Sequence, residues 1–390
     1  MLFDTLTYEM PRFTRRLLLI IPIIVLLALF AGSVSAQGDS SATGSSSGSG
    51  YVYVMSNEAT ANAVQVFARA ADGTLTPAGS YPTGGLGTGA GLGSQGAVIT
   101  SYDGRLLFVV NAGSNEISSF RIRRDSLSLV DTIPSNGEMP ISLSHHGRRL
   151  VVLNAGGSGN IAAFTVGPRG SLRPISGATQ PLSNGGVGPA PGPAQVSFTP
   201  NGRQLVVTEK VSNLILTYDM IKDGFEPPVA HASAGQTPFG FGFGHRNTLI
   251  VSEAFGGAAG ASALSSYTVA TESIQNVTAS AATHQTAACW VVVTGNGRYA
   301  YTTNTGSGSV SGYEIGRDGS LTLLDADGRT GDTGAGSSPI DASLSRNSQY
   351  LYVLNAGTDT ISAFAINQDG SLNWLGDVAV PATSVGLAAR

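Results

Sequence analysis

Sulfur and charge are both scarce in this chain. Cysteine occurs once, at Cys289, so no intrachain disulfide braces the fold, and neither a Cys-x-x-Cys pair nor a cysteine-based zinc site can be assembled. Charged residues make up 12% of the 390 positions, the formal net charge is −4, and no basic block is present. Nucleic acid and anionic membrane surfaces are therefore excluded as partner classes. No amphipathic helical window occurs beyond residue 50, which excludes parallel strand–helix–strand units. Long apolar runs are also missing, apart from Leu17 to Ala31, and that one is shorter than the ~20 residues a membrane span needs. Arg12, Arg15 and Arg16 precede it and Val34-Ser35-Ala36 follows. This is the pattern of a secretory signal peptide over residues 1–36, cleaved after Ala36. The mature protein is expected to be secreted or periplasmic, with no stable membrane span. Residues 37–50 form a Gly/Ser-rich tract expected to act as a flexible linker.

What the chain does have is a phrase repeated seven times. An aliphatic residue is followed three positions later by Phe or Tyr: Val64/Phe67, Ile117/Phe120, Ile161/Phe164, Ile215/Tyr218, Leu264/Tyr267, Val310/Tyr313 and Ile361/Phe364. Five residues after each aromatic come Asp72, Asp125, Arg169, Asp223, Glu272, Asp318 and Asp369, mostly within an Asp-Gly turn. Asx-Gly turns also separate short β-rich runs at Asp103-Gly104, Asn201-Gly202 and Asn296-Gly297, which is a hairpin signal. Four short antiparallel strands per unit, repeated at intervals of roughly 49 residues, are the period of β-propeller blades. The expected fold is all-β: a seven-bladed β-propeller over residues 51–390. Its C-terminal segment, from Pro381, completes the first blade and closes the ring, removing two exposed sheet edges.

Each second strand ends at a polar anchor: Asn57, Asn111, Asn154, Glu209, Glu253, Asn304 and Asn355. The Asn anchors suit side-chain bonding to turn backbone. Glu209 and Glu253 break the rule, and a carboxylate there adds proton-transfer capacity. The repeat is stretched at Pro82 to Ser94, Leu182 to Gly192, Phe255 to Ser262 and Gly331 to Ser338, connections that emerge on one face, where binding sites are usually built. His284 belongs to that face, whereas His145, His146 and His245 fall in turns on the opposite, plain face. The run Gly87 to Gly93 imitates a phosphate loop, but no helix follows it, and it is read as a flexible loop. The channel-lining positions are read as Ala97, Ser142, Gln195, Gly240, Trp290, Asp341 and Thr383. Trp290 supplies either a flat wall or core filler, and Gln195 and Asp341 supply hydrogen bonds, which suits a small, weakly polar ligand.

The repeat region resembles the lactonase-type seven-bladed propellers, which include bacterial 6-phosphogluconolactonases and fungal 3-carboxy-cis,cis-muconate lactonising enzymes. The likeness rests on phrases such as TPNGRQLVVTEK and GRLLFVVNAGSNEISSF and on the recurrent Asp-Gly-Ser-Leu. The resemblance implies a Gly-Pro-Arg-His motif opening the fourth blade and Asn-Glu closing its second strand. Here those positions read Gly192-Pro193-Ala194-Gln195 and Glu209-Lys210, and Asn304-Thr305 stands where Asn-Arg is common. Without those cations, a polyanionic lactone loses its partners. Two functions are therefore expected. One is a hydrolase or lactonising enzyme on a small lactone or ester, with Glu209 or Glu253 moving a proton, His284 as the complementary acid and Lys210 stabilising the oxyanion. Gln195, Trp290 and Asp341 would bind the substrate. The other is a non-catalytic extracytoplasmic scaffold binding a ligand or protein. No cofactor is expected, no metal-ligand motif is present, and a monomer is expected.

Overall fold

In the computed structural model, residues 50–270 and 273–390 are described. The signal-peptide segment, the linker up to residue 49 and Glu272 lie outside the described residues. Gly50, assigned to the linker from sequence, begins a strand instead.

Seven antiparallel sheets follow one another, each running from an inner strand to an outer one. Blade 3 shows the plan: Pro140–His146 innermost, then Arg149–Asn154, Asn160–Val166 and Leu172–Pro181. In blades 4 and 6 the outer strand is broken into two short pieces. The second strands are β-branched and aromatic because they are covered on both faces by neighbouring blades; in Leu106–Asn111 everything after the first residue is buried. Outer strands face water and read as polar, as in Leu75–Pro82.

Ring closure occurs as expected. Residues 52–55 pair with residues 385–389, so the first blade takes its inner strand from the end of the chain. The closing strand is Val385–Ala389, and this changes one expectation. The residue matching Asp341 or Trp290 in the inner strand is Gly386, because Leu387 N–H is received by the neighbouring blade as Phe241 N–H is. Thr383 precedes the strand and donates to Ser56 O at 2.6 Å.

The repeated phrase has a physical explanation beyond the turn it marks. In blades 1, 3, 6 and 7 the turn glycine sends its carbonyl to the preceding blade. Tyr352 donates to Gly73 O at 2.9 Å, Ser119 to Gly170 O at 2.7 Å, Ser266 to Gly319 O at 2.6 Å and Tyr301 to Gly370 O at 2.8 Å. Gly73 has φ +90° and lies directly against the Tyr350 ring, so a side chain would meet both steric strain and the neighbouring blade. The Asp before it folds back onto residue 74, its carboxylate accepting Thr74 N–H at 3.0 Å and Thr74 O–H at 2.7 Å. The phrase is thus both a turn and a latch between blades.

Candidate functional site

The inner strands raise a problem of their own. One edge pairs with the second strand, while the other faces the axis with N–H groups that no strand receives, and buried N–H groups need partners. Side chains from the preceding blade supply them. Ser142 Oγ accepts Val196 N–H at 3.1 Å, and Asp341 Oδ2 accepts Leu387 N–H at 3.0 Å. Gln195 grips Phe241 from both sides, accepting its N–H at 2.7 Å and donating to its carbonyl at 3.1 Å. Blade 5 has Gly240 at this position and no side chain to offer. Gln95, in the connection entering blade 2, reaches across instead. Its Oε1 accepts Val291 N–H at 3.0 Å, and its Nε2 donates to Val291 O at 2.7 Å. Gly240 leaves the space for this: a Cβ there would overlap Gln95 Oε1 and lie 2.6 Å from Cys289 O.

The long connection before Gln95 is therefore tied down over the loop-bearing mouth of the channel. Trp290 Nε1 donates to Ser94 O at 2.8 Å, Ser94 Oγ donates to Ile141 O at 2.8 Å, and Lys210 Nζ donates to Gly93 O at 2.6 Å. Further back, Asn57 Nδ2 donates to Ala90 O at 2.7 Å, and its Oδ1 accepts Thr88 N–H at 3.0 Å. The glycine-rich run, expected to be a flexible loop, is bonded to blades 1 and 4, and Ser94 just after it to blades 3 and 6. These bonds also correct an anchor. Ser56, not Asn57, occupies the anchor position, exchanging backbone and hydroxyl bonds with Ala63. Asn57 comes one residue later and holds the loop.

Beneath the loop, three side chains converge. The Lys210 ammonium lies 4.8 Å from the centre of the Phe239 ring, and that ring lies 4.8 Å from Trp290 at an interplanar angle of 54°. This is a cation–π contact within the usual range. Burial holds the Lys210 ammonium below its ordinary value, an effect partly opposed by nearby Cys289. The Cys289 thiol is itself pushed up to about 12 by burial, so it remains a thiol at neutral pH and is a poor nucleophile. Two of the residues expected from sequence, Lys210 and Trp290, are thus brought together. Phe239, Ser94 and Gln95 were not anticipated. The sequence signal for Phe239 is weak: an aromatic follows Pro238 where Ile141, Ala194 and Ile340 follow the other prolines.

Other expected residues are placed differently. Gln195 and Asp341 border the channel, but their polar atoms are engaged by backbone; Asp341 Oδ1 also accepts Ala342 N–H at 2.8 Å. Burial raises the Asp341 carboxyl well above the usual carboxylate range. Glu209 is fully buried. Its carboxylate accepts Ser183 N–H at 3.0 Å, Ser183 O–H at 2.5 Å and Ser212 O–H at 2.5 Å, all within the seam between blades 3 and 4. Glu253, equally buried, lies one seam further round. It accepts Gly235 N–H at 2.8 Å, Ser280 O–H at 2.6 Å and a close bond from Ser265. Both stand where Asn304 and Asn355 stand in blades 6 and 7, but there the anchor's Nδ2 donates to Ser311 and Ser362, whereas here serine hydroxyls donate to the carboxylate. His284 is exposed, at φ +57° in the turn entering blade 6. The expected Glu209–Glu253–His284 constellation is not assembled, because each carboxylate is saturated within its own seam. Among the described residues, no group of three or more His, Cys, Asp or Glu is placed to hold a metal ion.

The sequence matches the family described as Lactonase, 7-bladed beta-propeller, over residues 45–187 and 248–386. A comparison with curated protein sequences finds no match. Several solved structures share the architecture. A candidate 6-phosphogluconolactonase from Bacteroides fragilis superimposes with a TM-score of 0.70 at 20% identity, over 89% of this chain and 99% of that one. The periplasmic gluconolactonase of Pseudomonas aeruginosa gives 0.66 at 18% identity, over 87% and 99%. The virginiamycin B lyase of Staphylococcus aureus gives 0.53 at 13% identity, over 76% and 88%.

Proposed function

This chain belongs to the lactonase family of seven-bladed β-propellers, and from that premise we propose that it is an exported enzyme acting on a small, weakly charged lactone or ester at the loop-bearing mouth of its channel. The observation that carries the proposal is Lys210. Its ammonium is partly buried, has Gly93 O as its one hydrogen-bond acceptor among the described residues, and lies over the Phe239 ring, which packs against Trp290. A cation held in a partly dry site is suited to the oxyanion that forms when water adds to an acyl carbon. At an effective dielectric constant near 20, a unit charge about 4 Å away contributes about 4 kcal/mol. The two rings are themselves buried and back the ammonium as core, keeping its surroundings apolar, and the absence of Arg at Ala194 agrees with a substrate lacking phosphate or several carboxylates.

The test is a panel of neutral lactones and esters with the protein and with Lys210→Met. Turnover should fall about 10²- to 10³-fold in the variant, the usual cost of removing an oxyanion donor. The parent activity should decline on the alkaline side at a pH below lysine's ordinary 10.5, because desolvation lowers the pKa of this ammonium. Equal turnover in the two proteins would overturn the role of Lys210. A second reading, a ligand- or protein-binding propeller without turnover, is favoured by the loop bonded across the channel and by the saturation of Glu209 and Glu253; lack of turnover across the panel would select it. Export is supported by the arginines, apolar run and small-residue site at positions 12–36, and the Pseudomonas relative is described as periplasmic. Protein recovered outside the cytoplasm should begin at Gln37, and an intact chain confined to the cytosol would refute it.

A further inference from the structure

The plain face carries a feature that the lactonase reading does not use. Where blades 1, 2 and 7 meet, a basin of about 750 Å³ is lined by Arg69, Arg105, Arg123, Arg124, Arg346 and Arg390. The chain has 21 Lys and Arg residues, three of them at positions 12, 15 and 16, leaving 18 beyond the apolar run. One third of those cations thus line one hollow of a protein that is poor in charge overall. The fold gathers them from separate places. Arg105 and Arg346 come from turns between first and second strands, Arg123 and Arg124 from a turn between third and outer strands, and Arg390 from the end of the closing strand.

Asp125 is the acidic side chain in the lining, and it is turned toward Tyr51, whose hydroxyl lies 3.5 Å from Asp125 Oδ1. Arg105 makes an open contact of 3.8 Å with Asp103, both side chains more than half exposed; exposed pairs of this kind contribute little. Among the described residues, Arg123, Arg124, Arg346 and Arg390 have no side-chain carboxylate at ion-pair distance. Converging guanidinium groups repel one another unless an anion lies between them. Their planar donor forks fit phosphate and carboxylate oxygens two at a time. The volume falls within the range of small-molecule sites.

We propose that this basin is a binding site for a small organic polyanion, a molecule carrying a phosphate ester or clustered carboxylates, on the face opposite Lys210. Its position over the ring-closing seam means that a bound anion bridges blades 1, 2 and 7.

The experiment is calorimetric titration with inorganic pyrophosphate and with citrate, at low and at physiological salt. The same protein is also tested for sedimentation with vesicles containing about 30% anionic lipid. Three proteins are compared: the parent, the Arg124→Gln/Arg346→Gln double variant, and an Arg169→Gln/Arg203→Gln double variant that removes equal charge from exposed turns of blades 3 and 4. The parent should bind both soluble anions with salt-sensitive affinity. The first variant should bind about tenfold more weakly or worse, given the strength of hydrogen bonds to charged groups, and the second should match the parent. Equal weakening in both double variants would reduce the effect to net charge and overturn the proposal. So would binding to vesicles without binding to pyrophosphate or citrate. Turnover of neutral lactones should be unchanged in the first variant, so this result and the Lys210 result succeed or fail separately.

Discussion

Replacing Gln95 by Ala should destabilise the whole propeller, although the residue lies in an irregular connection. Its carboxamide makes two bonds to Val291, of 3.0 and 2.7 Å, across 196 residues of sequence. A made hydrogen bond contributes about 0.5–1.5 kcal/mol net, and a buried group left unpaired costs about 1–3 kcal/mol. Gln95→Ala removes both bonds and leaves the Val291 N–H facing the axis with no acceptor, so the expected loss is about 2–4 kcal/mol. Guanidinium unfolding followed by tryptophan emission suits the measurement. The chain has two tryptophans, and a Trp374→Phe background isolates Trp290, whose indole donates to Ser94 beside the mutated position. The partner substitution sharpens the test. Gly240→Ala drives a methyl into Gln95 Oε1 and toward Cys289 O and Trp290 Cα; once Gln95 is Ala, the first of these clashes is gone. The double variant should therefore lose less stability than the sum of the singles, by about 1 kcal/mol, a coupling typical of residues in contact. A Gln95→Ala loss below about 0.5 kcal/mol, or strict additivity with Gly240→Ala, would refute the clasp as described.

Tyr352→Phe should cost about 1–3 kcal/mol by leaving the buried Gly73 carbonyl without its donor at the closing seam, as unpaired buried acceptors do; an unfolding midpoint equal to the parent's would count against the latch. Asp341→Asn should change the pH dependence of stability. Burial raises the folded carboxyl well above 3.8, so its contribution is complete below that value and is lost as pH rises through the folded value. The stability difference between parent and variant should shrink as pH rises above about 4, and a difference that stays constant with pH would exclude this account.

The blades were legible in the sequence because their signals are local. The aliphatic–aromatic offset, the Asx-Gly turn and the β-branched second strand each lie within about a dozen residues, and all seven sheets formed around them. The candidate site was legible only in part. Lys210 stood out as a cation beside a rule-breaking anchor, and Trp290 as the bulky residue of the inner strands. Their meeting depends on Phe239 and on a loop bonded across the axis, and contacts spanning nearly 200 residues leave no periodic trace. The Glu pair was misleading for a related reason. A carboxylate replacing an amide suggests proton transfer, but hydroxyls of Ser183, Ser212, Ser265 and Ser280 donate to it and occupy it within the seam. Asn57 and Thr383 were misplaced by a few residues at most, where the first blade is assembled from two distant segments and the register has a bulge.

The pairing of residues 52–55 with residues 385–389 also bears on the order of events at the ribosome. The strand that the first blade needs is more than three hundred positions downstream. While the chain is being made, that blade can hold only three strands, with the edge at Tyr51 to Met55 open to any passing strand. Synthesis proceeds at about 5–20 residues per second, so this edge waits tens of seconds for its partner. The same segment that completes the ring thus sets the interval during which the nascent chain is most exposed to mispairing, and substitutions in Val385–Ala389 should appear first as poor yield of folded protein rather than as altered activity.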